Sequence, residues 1–117
     1  MLFSTNTAIF DKNVGAKRGI ELAAKAGFDA VDISLHRLMD KDGQAFNSGR
    51  YRDEAEEYKK LVSGCGLVVN QTHTVYPTSY NDDEKTAAAV MRVKRGIEIS
   101  SILGAKTVVV HPMQHLP

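Results

Sequence analysis

Only one cysteine, Cys65, occurs in the 117 residues, so no internal disulfide can form. It lies between Gly64 and Gly66 at the end of an expected helix, where it reads as a small, partly buried filler. A reducing, cytoplasmic setting is the simplest fit. Neither sign of charge dominates: 15 basic and 14 acidic side chains leave a formal net charge of +1. No basic surplus points to nucleic acid, which is not an expected partner, and no acidic tail is present. Apolar runs are short, Thr107 to Val110 for example, whereas a membrane span needs ~20 apolar residues. The N-terminus has no charged segment followed by a long apolar one, so it does not read as a secretory signal. The sharp nucleotide-binding markers are missing too. No Gly-x-Gly-x-x-Gly follows the first expected strand, Leu2-Phe3-Ser4-Thr5-Asn6-Thr7, and no phosphate-binding Gly-Lys-Ser/Thr loop occurs. What remains is an ordinary soluble balance, 43% hydrophobic and 25% charged.

What is present is a repeat. Three places join a helix-like stretch, a Gly and a short β-rich run: Gly27-Phe28-Asp29-Ala30-Val31-Asp32-Ile33, Gly66-Leu67-Val68-Val69-Asn70, and Gly104-Ala105-Lys106-Thr107-Val108-Val109-Val110. The glycines are 39 and then 38 residues apart. Each stands where a helix would end in the left-handed conformation that Gly tolerates best. Ala16, Ile20, Ala23 and Ala24 form a helical apolar stripe before the first. Tyr51, Ala55, Tyr58 and Val62 do so before the second, and Val90, Val93, Ile97 and Leu103 before the third. Asp82 or Asp83 can cap the third helix. The order β-α-β-α-β-α-β predicts parallel strands near 2–7, 29–35, 67–73 and 105–111, joined by right-handed crossovers. An open doubly wound sheet and a (β/α)8 barrel both fit this order. The constant unit length favours the barrel, since eight units of ~38 residues come to roughly 300. Residues 1–117 then form one partial α/β domain, the N-terminal half of a TIM barrel.

Position within the repeat carries functional information. His73 and His111 each come seven residues after their Gly, at the C-terminal end of a strand, and that rim is where barrel active sites form. Ser34 fills the same slot after Gly27, and His36 follows two residues later on the expected pleat face. Asn6 lies near the first rim position, and His115 lies beyond the fourth strand. Histidines near one rim suit metal binding, proton transfer or hydrogen bonding to a polyol. The bland alternative is rim histidines satisfied by backbone or water. Asp32 and Gln71 have the inward parity of Ser34 and His73. Tyr76 and Tyr80 either wall a ligand pocket or pack their loop. The polar run from Arg37 to Arg50 reads as a flexible rim loop.

On Gly27-Phe28-Asp29-Ala30-Val31-Asp32-Ile33, on the third strand ending at His73, and on Leu103-Gly104-Ala105-Lys106-Thr107-Val108-Val109-Val110-His111-Pro112, the chain resembles the xylose-isomerase-like barrel superfamily. That group includes sugar phosphate isomerases/epimerases and the endonuclease IV family. The resemblance implies a divalent metal, Mn, Mg, Co or Zn, and proton transfer next to a sugar carbonyl. It places the chief metal-binding carboxylates and acid/base residues on later strands, outside this chain. His73, His111, His36 and Asn6 are then substrate-binding candidates. His73 and His111 are metal ligands only in an endonuclease IV-like protein. The expected function is the N-terminal part of a sugar (phosphate) isomerase/epimerase-like enzyme. Alternatives are a metal-dependent nuclease of the same fold and a stand-alone half-barrel binding module. The expected partners are a small sugar or polyol and a second copy of the chain. The 117 residues alone are expected to be inactive.

Overall fold

The computed structural model describes residues 1–112 and the backbone of His115–Leu116. Its main sheet has four parallel strands, β1 (Ser4–Asn6), β2 (Ala30–Ser34), β3 (Val68–His73) and, after a short β4 (Ser79–Tyr80), β5 (Thr107–Val109), in the spatial order β1-β2-β3-β5. Parallel neighbours need crossovers, and helices supply them. The short α1 (Ala8–Asp11) and α2 (Ala16–Lys25) link β1 to β2; α3 (His36–Met39), a 3-10 turn (Ala45–Asn47) and α4 (Tyr51–Gly64) link β2 to β3; and α5 (Asp83–Leu103) leads to β5. A second small sheet pairs β4 with β6 (His115–Leu116).

The helix boundaries follow the local chemistry. Gly27, Gly66 and Gly104 all take positive φ, 89°, 75° and 79°, as required where helices end ahead of a strand. Asp82 caps α5 by accepting from the Lys85 backbone N at 2.8 Å. Cys65 is the half-buried C-cap residue of α4.

The core lies between one face of the sheet and the helices. Val31, Ile33 and Leu35 are fully buried there, with Val69 beside them. Ala16, Ile20 and Ala23 of α2 and Ala55, Tyr58 and Val62 of α4 cover that face, so these two expected stripes match the packing. The third matches only in part. Leu103 is buried and Val93 packs against the core, but Val90 and Ile97 are exposed at 38% and 47%, and α5 buries Ala89, Gly96, Ile99 and Ser100 in their place. The reason is close approach and hydrogen bonding. A Cβ on Gly96 would stand 3.2 Å from Thr74 Cγ2, so a small residue must face the sheet there. Ser100 hydroxyl meets Thr72 hydroxyl at 2.6 Å and the Gly96 carbonyl at 2.6 Å, which satisfies a buried polar pair. A hydrophobicity count misses both.

The segment after β2 is more ordered than a flexible loop. It holds α3 and the 3-10 turn, and Phe46 is fully buried with its ring 5.2 Å from that of Tyr58. Among the described residues, no helix is long and apolar enough to cross a membrane.

Candidate functional site

The face of the sheet turned away from the helices is polar at its C-terminal end. Ser4 on β1, Asp32 on β2 and Gln71 and His73 on β3 share that face, as strand alternation requires. Their side chains form one chain of hydrogen bonds. Ser4 Oγ donates to Asp32 Oδ1 at 2.7 Å, and Gln71 Nε2 donates to Asp32 Oδ2 at 3.1 Å. The same Gln71 nitrogen lies 3.2 Å from His73 Nε2.

A register break puts one more donor there. Val31 pairs with Val69, but Asp32 pairs with Gln71, so Asn70 is the extra residue of a β-bulge. Bulges place two residues opposite one and re-aim side chains. Here Asn70 Nδ2 donates to Asp32 Oδ1 at 2.9 Å while Gln71 holds the other oxygen. The inward parity expected for Asp32 and Gln71 matches these contacts. Ser4 and Asn70 were not legible as members. A bulge has no compositional mark, and β1 is a weak strand signal.

The rim histidines are arranged less evenly than their spacing suggests. Ser34 pairs with His73, as equal offsets from Gly27 and Gly66 predict. His73 pairs with Val109, however, so His111 stands two residues beyond the level of His73. At ~3.3 Å per residue that is about 6–7 Å farther along an extended chain. Strands in a barrel tilt and stagger, and equal offsets from helix ends therefore do not give equal heights. His111 is half-buried, with its ring edge-on to Tyr76, centroids 5.2 Å apart. Tyr76 therefore packs its loop against the rim.

Of the other candidates, His36 leaves this cluster, whereas Asn6 stays beside it as the register partner of Asp32. β2 ends at Ser34, and His36 opens α3, so it has left the pleat on which it was expected. Its Nδ1 is buried without a partner. Asn6 Oδ1 accepts from the Ala8 backbone N at 2.8 Å, which ties it to the start of α1. The side chain of His115 lies outside the described residues. Asp11, at the end of α1, has both carboxylate oxygens buried and unpartnered. Burial pushes it up to about 6, against the opposing pull of Arg37.

A cavity of about 430 Å³ lies at the opposite end of the strands, lined by Leu2, Val62, Leu67, Val68 and Leu103 among others. Apolar space at the N-terminal end of barrel strands belongs to packing, and chemistry belongs to the other rim.

The divalent metal implied by the resemblance does not fit these residues. Among the described residues, no three His, Cys, Asp or Glu side chains come together to hold an ion. Both Asp32 oxygens already accept hydrogen bonds, and His73 Nε2 faces Gln71.

Comparison with known proteins agrees with this architecture. A solved D-psicose 3-epimerase, determined in the presence of D-fructose, is similar over 92% of this chain and 36% of its own, with a TM-score of 0.62 and 16% identity. A sugar phosphate isomerase/epimerase from Parabacteroides distasonis is similar over 97% of this chain and 40% of its own, with a TM-score of 0.56 and 20% identity. The chain thus spans less than half the length of either. At these identities the likeness shows the fold, four parallel strands of a TIM barrel. No curated protein matches. The model of the xylose isomerase-like TIM barrel family matches residues 20–117, and the chain belongs to that family.

Proposed function

We propose that this chain is the N-terminal part of a sugar or sugar phosphate isomerase/epimerase, and that its share of the work is to bind the substrate's hydroxyls. The observation that carries this reading is the hydrogen-bonded row Ser4–Asp32–Gln71–His73 at the C-terminal rim. A row of fixed donors and acceptors on one sheet face suits a polyol, whose recognition consists of hydroxyl hydrogen bonds. The similarity to a D-psicose 3-epimerase and to a sugar phosphate isomerase/epimerase supports a carbohydrate substrate. His73 is a substrate-binding residue, His111 lines the site from the segment after β5, Asn6 stands beside Asp32 on β1, and His36 is peripheral. The whole enzyme moves a proton beside the sugar carbonyl with acid/base groups and a divalent metal held by later strands. The 117-residue chain then shows no turnover of ketoses with added Mn²⁺, Mg²⁺, Co²⁺ or Zn²⁺. The setting is cytoplasmic, where Cys65 stays a free thiol.

Nuclear magnetic resonance titration of the chain with D-fructose, and separately with fructose 6-phosphate, tests the reading. Shifts should gather on Asp32, Gln71, His73 and His111. Shifts confined to the helices, or none at millimolar sugar, would overturn it. A titration with abasic DNA should leave the same signals unmoved.

A further inference from the structure

We propose that Gln71 is a positioning residue that holds the His73 imidazole as its Nδ1–H tautomer. The inference deepens the sugar-binding reading above and rests on it for its functional meaning. Asp32 is the anchor. Three groups converge on its two oxygens, Ser4 Oγ at 2.7 Å, Asn70 Nδ2 at 2.9 Å and Gln71 Nε2 at 3.1 Å, and all three can donate. A carboxylate accepts and an amide oxygen only accepts, so the Gln71 amide must turn its nitrogen toward Asp32. That choice fixes what His73 sees. The nitrogen bound to Asp32 Oδ2 is also the atom 3.2 Å from His73 Nε2. An amide nitrogen has two hydrogens and no acceptor capacity. One hydrogen goes to Asp32 and the other to His73, and Nε2 must accept it. A neutral ring whose Nε2 accepts carries its proton on Nδ1.

Two consequences follow for the rim. First, Nδ1–H becomes the ring's one donor, suited to a hydroxyl or carbonyl oxygen of a sugar. Second, Nε2 is occupied. A metal could take Nε2 only after Gln71 lets go, and could take Nδ1 only after the proton leaves it. Substrate hydrogen bonding asks for neither rearrangement. The Gln71-x-His73 spacing is what allows this, since residues two apart share a strand face. The bulge at Asn70 sets Gln71 directly opposite Asp32.

The ring nitrogens of His73 can be read directly from long-range ¹H–¹⁵N spectra at pH 8, where an ordinary imidazole is neutral. The free protein should show a protonated Nδ1 and a bare Nε2. Gln71→Leu should remove that bias, and Gln71→Glu, which offers an acceptor, should invert it to Nε2–H. Backbone signals away from β3 report whether each variant is folded, and either variant alone suffices. An Nε2–H ring in the wild type, or a pattern unchanged in a folded variant, overturns the proposal. Because no ligand is present, this result is separate from the success or failure of sugar binding. In a second arm, Gln71→Leu should weaken D-fructose binding about fivefold, the weight of roughly one hydrogen bond. The same change in a His73→Ala background should add nothing. An equal loss in that background would make Gln71 a direct contact and overturn its positioning role.

Discussion

The two faces of the four-stranded sheet differ in both chemistry and coverage. On the helix side, Val31, Ile33 and Leu35 are wholly buried under α2, α4 and α5. On the other side, one residue away along the same strand, Asp32 and Ser34 are half-exposed, and Asp32 belongs to a polar row. The helix side is packed within this chain over β2 and β3. The other is what a closed barrel turns inward, and here its Asp32, Ser34, Gln71 and His73 are half-exposed. The comparison teaches that fold and chemistry were assigned to opposite parities of the same strands. Substitutions one residue apart should therefore have unlike effects.

The largest effect expected from this asymmetry is on the whole molecule. Among the described residues, β1 pairs only with β2, and β5 only with β3, leaving two free edges. Thr107-Val108-Val109-Val110 carries neither the charge nor the Pro that blunts an edge. A two-fold axis along the strands would bring β5 of one copy beside β1 of another, still parallel. Eight strands would then close around a filled interior. Light scattering on the 117-residue polypeptide at micromolar concentration should give a mass above that of one chain. A stable folded monomer would show that the open face is tolerated.

Next in size is the contrast within β2. Ile33→Ala should cost about 2–5 kcal/mol, the usual range for a fully buried aliphatic truncation. Asp32→Ala should cost less than about 1 kcal/mol, because Ser4, Asn70 and Gln71 can turn to water. Urea unfolding of both variants decides this, and equal losses would erase the distinction between the faces.

A smaller effect comes from the carboxylate that breaks the apolar rule of the helix layer. Asp11 is pushed up to about 6 by burial. Its folded form binds a proton more tightly than the unfolded chain does, where an ordinary Asp titrates near 3.9. The stabilisation that this group adds is therefore complete below about pH 4 and is lost as pH rises through about 6. Asp11→Asn should flatten this part of the stability profile and stabilise the protein at pH 7. An unchanged profile would place Asp11 in contact with water.

Much of this division could be read in the sequence. The glycine-marked repeat located three of the four strands of the main sheet, because a helix end and a strand start leave a local mark at Gly27, Gly66 and Gly104, ahead of β2, β3 and β5. Alternation placed Asp32, Gln71 and His73 on one face. What escaped depends on relations between distant segments. The phase of α5 is decided by Thr74 against Gly96 and by the Thr72–Ser100 pair, not by where valines fall. The height of His111 relative to His73 is set by barrel stagger, and the Asn70 bulge by pairing with Asp32. None of these has a one-dimensional signature.

The central claim, that the polar face serves the substrate while the buried face serves the fold, is tested most directly by one paired measurement on His73→Ala. Calorimetric titration with D-fructose is run alongside urea unfolding of the same sample. The account predicts sugar binding weakened about tenfold or more with the unfolding midpoint essentially unchanged, as for a half-exposed residue outside the core. Unchanged binding, or weakened binding with an equally lowered midpoint, would contradict it.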